Sequence, residues 1–290
     1  MNHQQTRRSF IAGMGGALFA SAVSAQAQSA AAPALPLKNL GLEHLDIVVP
    51  DTAVSAKFYM QVFRTKLHQQ PFQGNIRYFI LLGDLPANRQ VGYIAIGAGG
   101  GSRPTSIGHY CSLAERYDRN AMAKEMEAAG YKSAQGSFGM WPDPDGLELQ
   151  LFQPPAGLVT AAVPSDLPVE TNGLVTPLGL DHVVLNVRGI DASLPYYHFV
   201  YGKEVDGARE HNPERLWLNL KNDTRIGLQP TAAGQAPRIE HFCIRVRPFD
   251  KAAVTAGLKK IGAEALPSPD EPGILRFLDN NRIMLELKAT

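Results

Sequence analysis

The chain has only two cysteines in 290 residues, and its formal net charge is +1. Two cysteines cannot build a disulfide framework, and Cys111 and Cys243, which stand at equivalent places in two copies of one pattern, read as buried thiols. Lys and Arg form no run longer than the pairs Arg7-Arg8 and Lys259-Lys260, which excludes nucleic acid or an anionic membrane as the main partner. No apolar stretch reaches the roughly 20 residues that a membrane-spanning helix needs. The mature chain is therefore expected to be soluble, with no stable membrane anchor.

At the N-terminus, Thr6-Arg7-Arg8-Ser9-Phe10-Ile11 precedes the short apolar stretch Ile11–Ala20, and small residues follow at Val23-Ser24-Ala25 and Ala25-Gln26-Ala27. This order of charge, apolar core and small residues resembles a twin-arginine signal peptide. The alternative is a plain basic N-terminus. The resemblance implies export of a folded protein to the periplasm or beyond, often with its cofactor already inserted, through a transient encounter with the twin-arginine machinery. Residues 1–37 are accordingly read as a signal peptide with an Ala/Pro-rich segment.

The rest of the chain is a duplication. Gly41-Leu42-Glu43-His44-Leu45-Asp46-Ile47-Val48-Val49 is rewritten as Gly179-Leu180-Asp181-His182-Val183-Val184-Leu185-Asn186-Val187, 138 positions later (182 − 44). The same offset places Phe58-Tyr59 on Tyr196-Tyr197 and Phe63 on Tyr201. A second pair, Ile107-Gly108-His109-Tyr110-Cys111 and Ile239-Glu240-His241-Phe242-Cys243, repeats at 132 (241 − 109). Both sentences alternate with a period of two, as strands do. Val183, Leu185 and Val187 fall on one face, His182 and Asn186 on the other.

Helical patterns follow each opening strand. One runs from an Asp51 or Thr52 cap to about Phe63, with Val54, Phe58, Val62 and Phe63 as its packed stripe. Others are expected near 119–129, 191–201 and 251–261, with Pro195 placed in or near a first turn. Further strands are expected near 76–82, 91–96, 147–153, 216–220, 225–229 and 283–288. This gives an α+β chain of four βαβββ units in two tandem domains, 38–155 and 176–290, with 156–175 as linker.

Four such units with a histidine on each opening strand resemble the vicinal oxygen chelate superfamily, which includes glyoxalase I, extradiol dioxygenases and fosfomycin- and bleomycin-resistance proteins. The resemblance covers essentially the whole mature chain. It is carried by the paired histidines, Phe58-Tyr59, and Asp143-Pro144-Asp145-Gly146 before a closing strand. It implies cup-shaped mixed sheets, with metal ligands projecting from the first and last strands. His182, His241 and Glu286 would form one such triad.

The chemistry is consistent with that. Two neutral imidazoles and one carboxylate leave coordination positions open for substrate and oxygen, and Glu286 alternates with Ile283, Leu285 and Leu287. A lone strand histidine is ordinarily a core or surface group, and a lone strand glutamate ordinarily solvated. Four histidines at duplicated positions point elsewhere. In the first copy, the position seven after Asp143 is Gln150, where the second copy has Glu286 seven after Asp279. His44, His109 and Gln150 are therefore expected to be a weaker second site, because an amide oxygen brings no charge. Glu148, on the same strand face, is a substitute about 7 Å away along the strand.

An intact triad in the second half only looks like the type I extradiol dioxygenases, which implies Fe(II), or Mn(II), and a small oxygen-rich substrate such as a catechol. The chain departs from that family where Arg276 replaces the tyrosine before the closing turn, where Asn280-Asn281-Arg282 replaces its Pro-x-Gly, and where no histidine stands about fifteen residues before His241. His211 is the nearest candidate acid/base, its other reading being a surface loop histidine. Arg276 is either a partner for a substrate carboxylate or a solvated strand residue. Two other classes remain: a glyoxalase- or epimerase-like lyase or isomerase, and a small-molecule binding protein without redox chemistry. Association into oligomers is left open.

Overall fold

The computed structural model describes residues 34–72, 74–83, 92–99, 103–133, 139–154, 171–267 and 273–290. Most of the expected signal segment 1–37 and of the expected linker 156–175 lies outside the described residues. The first unit is β1 (Asn39–Val49), α1 (Thr52–Val62), β2 (Leu67–Phe72), β3 (Asn75–Leu82) and β4 (Gly92–Ala98). The second is β5 (Ser106–Ala114), α2 (Arg119–Ala128), β6 (Met140–Pro142) and β7 (Glu148–Phe152), one strand short of βαβββ among the described residues. The third is β8 (Thr176–Val187), α3 (Ile190–Tyr201), β9 (Asp206–His211), β10 (Glu214–Asn219) and β11 (Arg225–Pro230). The fourth is β12 (Arg238–Arg247), α4 (Lys251–Lys260), β13 (Glu264–Leu266), β14 (Ile274–Leu278) and β15 (Met284–Ala289).

Two mixed sheets result. The seven-stranded sheet runs β2-β3-β4-β1-β5-β7-β6, and the eight-stranded sheet runs β13-β14-β15-β12-β8-β11-β10-β9. In each, two histidine-bearing strands pair antiparallel at the centre, β1 with β5 and β8 with β12. Each is flanked by a parallel neighbour: β4 and β7 in one sheet, β11 and β15 in the other. The opening strands thus sit mid-sheet, with two adjacent histidines on one face.

The other face is the core. Leu45, Ile47 and Val49 of β1 join Val183, Leu185 and Val187 of β8 in one apolar cluster shared by both halves. Leu285 and Leu287 belong to it too, leaving Glu286 on the opposite face, as alternation requires. Among the described residues, no helix is long and apolar enough to cross a membrane. Both cysteines are free and buried.

Helix starts follow the capping signals. Asp51 accepts from Val54 N, Asp118 from Asn120 N and Ala121 N, and Asp250 from Ala253 N. Two expectations need correction. Val54 is 52% exposed, whereas Phe58, Val62 and Phe63 of the expected stripe are buried, together with Ser55 and Tyr59. Helix α1 packs on β3 and β4 of its own sheet, and its Ser55 and Tyr59 also reach the closing turn of the other half. Pro195 falls in the second turn, because α3 begins at Ile190, so the Asp191 carbonyl lacks the usual helical donor.

The halves are tied by matched contacts. Tyr59 OH donates to Asp279 Oδ2 at 2.8 Å, and Tyr197 OH to Asp143 Oδ2 at 2.7 Å. Beside them, Asn281 Nδ2 donates to Ser55 Oγ at 2.7 Å, and Ser193 Oγ to Asp145 Oδ2 at 3.3 Å. Burial holds both tyrosines well above their ordinary pKa, with the facing aspartate adding to it, so they remain donors.

Candidate metal centre

His182 on β8, His241 on β12 and Glu286 on β15 meet on the site face of the eight-stranded sheet. Register brings them together: His241 lies opposite Val184 and Met284, and Glu286 opposite Cys243, itself opposite His182. His182 Nε2 is 3.2 Å from Glu286 Oε2, and His241 Nε2 is 3.7 Å from Glu286 Oε1. The imidazole rings are 5.6 Å apart at 79°. One ligand atom from each residue lies within 4.8 Å of the others, all three residues being buried.

The far side of each ring is fixed by the residue before it. His182 Nδ1 donates to Asp181 Oδ1 at 2.7 Å, and His241 Nδ1 to Glu240 Oε2 at 2.9 Å. An imidazole that donates from Nδ1 presents a lone pair at Nε2. Both Nε2 atoms are buried without a hydrogen-bond partner, aimed at the carboxylate. Carboxylate–histidine pairs of this kind are how proteins orient metal-binding imidazoles. The donor set therefore fits a divalent ion.

The electrostatics agree. Burial lowers the His241 pKa despite the neighbouring carboxylates, which favours the neutral ring a metal requires. Burial acts the other way on Glu286, but His182, His241 when protonated and Arg276 outweigh it and hold the carboxyl down to about 2. With both rings neutral, as a metal requires, Arg276 is the cation that remains beside it. Asp181 and Glu240 are likewise held below the usual carboxylate range, burial being outweighed by the bond to their histidines and by nearby cations.

Arg276 is part of this centre. It faces Glu286 across β14 and β15, and its Nε and Nη2 donate to Glu286 Oε1 at 2.8 and 2.5 Å. It is thus neither a solvated strand residue nor turned away from the carboxylate. His211 is exposed at the end of edge strand β9, with β10 and β11 between it and β8. The geometry does not bring it to the triad.

Other residues do line this face. Trp217 stands edge-on to His182, with ring centres 5.0 Å apart, and Arg225 lies over its indole at 4.3 Å. Arg215 donates from Nε and Nη2 to Gln229 Oε1 at 2.9 and 2.7 Å, and Gln229 Nε2 donates to Asn186 Oδ1 at 2.7 Å and to Glu240 Oε2 at 3.1 Å. The sequence carried one legible signal for the supporting acids. An acidic residue immediately precedes His44, His182 and His241, whereas Gly108 precedes His109.

His44, His109 and Gln150 also converge, but differently. His44 Nδ1 donates to Glu43, and its Nε2 lies 2.8 Å from the Gln150 carboxamide and 3.4 Å from His109 Nε2. His44 thus has a polar neighbour at each nitrogen within its own copy, and its ring stacks on Tyr93 at 4.3 Å. Burial drives the His109 pKa well down, with His44 and Arg77 adding to it. Glu148 is half-buried and lies opposite His109 in the ladder.

No protein-family model and no curated protein sequence matches the chain. Solved structures do. The chain is similar to the Mn(II)-bound glyoxalase from Novosphingobium aromaticivorans, with TM-score 0.59, 16% identity, and coverage of 87% of this chain and 83% of that one. It is similar to the 2,3-dioxygenase LapB from Pseudomonas sp. KL28, with TM-score 0.61, 14% identity and coverage of 88% and 93%. Homoprotocatechuate 2,3-dioxygenase from Arthrobacter globiformis gives TM-score 0.61, 16% identity and coverage of 89% and 82%. Identities this low speak for architecture: the chain has the two-domain α+β fold of vicinal oxygen chelate proteins.

Proposed function

We propose that the protein is a metal-dependent dioxygenase of extradiol type that holds Fe(II), or Mn(II), on His182, His241 and Glu286. The observation that carries this is the pair of buried, unpartnered Nε2 atoms converging on Glu286. When bound, such an ion supplies positive charge and open positions for a small oxygen-rich substrate and for dioxygen. Asp181 and Glu240 hold the Nδ1 protons and so keep both Nε2 lone pairs turned inward. Arg276 orients Glu286 through Oε1, and Trp217 walls one side of His182. His44, His109 and Gln150 form a site with no more than weak metal affinity, because Gln150 already engages His44 and brings no charge.

A second reading, a glyoxalase-like lyase or isomerase, draws on the likeness to the Mn(II)-bound glyoxalase. That class normally shows four protein ligands, and the candidate fourth positions on β11, Gly227 and Gln229, provide no carboxylate, Gln229 already accepting two bonds from Arg215. Oxygen uptake by the Fe(II)- or Mn(II)-loaded protein over a panel of catechols decides between them. Uptake that Glu286→Ala abolishes supports the dioxygenase. Metal binding without uptake would favour the lyase or isomerase, and no metal binding a small-molecule binding protein. We further propose that residues 1–37 direct twin-arginine export to the periplasm.

A further inference from the structure

We infer that Tyr59 and Ser55, on the helix of the first half, are positioning residues for Glu286 in the metal centre of the second. This rests on the metal reading above and adds a role for the half whose own carboxylate is replaced by Gln150.

The connection runs through one carboxylate. Asp279 sits in the turn between β14 and β15, and its two oxygens have separate tasks. Oδ1 accepts from Asn281 N and Ile283 N, both at 2.8 Å, which fixes the turn from within. Backbone bonds close the same loop: Asp279 N donates to Ile283 O at 2.9 Å, and Arg282 N to Asp279 O at 3.1 Å, with Arg282 at a φ of 68°. Oδ2 points across the domain boundary and takes the Tyr59 hydroxyl, while Asn281 reaches Ser55. The turn is thus pinned from outside by α1 of the other half.

What the turn sets is the register of the hairpin that carries Glu286. Leu278 pairs with Met284, and Arg276 with Glu286. A slip of one residue along a strand turns its side chains to the opposite face, and smaller shifts displace a ligand by enough to weaken a metal site. Tyr59 and Asp279 are both buried, so their bond is made away from competing water. The same device operates in mirror fashion. Asp143 Oδ1 accepts from Asp145 N and Leu147 N at 2.9 and 2.8 Å, and its Oδ2 takes Tyr197. That clasp governs the strand bearing Gln150. Each half holds the closing hairpin of the other, and only one of those hairpins carries a ligand with charge.

The pseudo-symmetry supplies its own control. Tyr59→Phe and Tyr197→Phe remove equivalent hydroxyls from equivalent buried aspartates. Mn(II) alone is titrated into each full-length mature variant, with unfolding measured in parallel. Tyr59→Phe should weaken Mn(II) binding about tenfold, the lower end of what supporting groups contribute. Tyr197→Phe should leave it within about twofold while losing comparable stability. Should Tyr59→Phe fold poorly, Ser55→Ala tests the same clasp and should weaken Mn(II) in the same direction. Glu286→Gln, measured alongside, must weaken Mn(II) at least as much as Tyr59→Phe, or the metal reading itself fails. If Glu286→Gln weakens binding but Tyr59→Phe and Ser55→Ala bind as the wild type does, the positioning role is overturned. Equal weakening by Tyr59→Phe and Tyr197→Phe would also overturn it.

Discussion

Tyr59 in the first helix and Asp279 in the last turn, 220 residues apart, share a buried hydrogen bond of 2.8 Å. Its geometry has a pH consequence. Burial raises the Asp279 pKa above 3.8, although bonds from Ile283, Tyr59 and Asn281 pull the other way. A carboxyl whose folded pKa is raised contributes stability in full below the unfolded value. That contribution is lost as pH rises through the folded value. Asp279→Asn keeps an acceptor for the turn but does not titrate. Urea unfolding from about pH 4 to about pH 7 should therefore show the wild type losing ground to Asp279→Asn as pH rises. A constant difference across that range would contradict the assignment.

Gly41 marks another crossing between the halves. Its φ is +98°, and a methyl group there would run into the carbonyl oxygen of Lys221. Its counterpart Gly179, at φ +135°, has only the Arg245 side chain nearby, at 3.5 Å. Gly41→Ala should cost at least about 2 kcal/mol in chemical denaturation and Gly179→Ala about 1 kcal/mol. The reverse order would contradict the close approach.

Much of this arrangement was readable in the chain itself, and the unread parts have two causes. Alternation separated His182 from Val183, Leu185 and Val187, and Glu286 from Leu285 and Leu287, because one buried face forces a period of two. Asp51 was readable as a helix start because capping is local. Strand β9 was missed because Asp206–His211 is polar and mostly exposed, with no apolar face to show. The inward turn of Tyr59 in place of Val54, and the Arg215–Gln229–Asn186 network, depend on partners far along the chain, which periodicity does not report. His211 drew notice by its residue type, and its position on an edge strand leaves it outside the centre.

Arg276 neutralises Glu286 in the metal-free protein, so Arg276→Met should destabilise that form most. Breaking a buried ion pair costs roughly 3–5 kcal/mol, and partial exposure of Arg276 places the loss at the lower end. Saturating Mn(II) should recover much of it, since the ion supplies the missing positive charge and binds only the folded state. Thermal unfolding with Mn(II) and with a chelator gives the comparison. An identical loss in both conditions would separate Arg276 from the metal centre.

The proposed export rests on Arg7-Arg8. Replacing both by lysine should leave precursor in the cytoplasm of a host with twin-arginine transport, measured by fractionation. Unchanged export would remove the assignment.

Metal stoichiometry across a small set of variants tests the central claim most directly. The natively folded protein, analysed for Fe and Mn, should hold about one ion per chain, since among the described residues His182, His241 and Glu286 alone combine two open Nε2 atoms with a charged carboxylate. Glu286→Ala and His241→Ala should lower affinity by at least about 10–100-fold, while His44→Ala and Gln150→Ala should change it little. Two tightly held ions per chain, or binding that follows His44 rather than His182, would contradict the account.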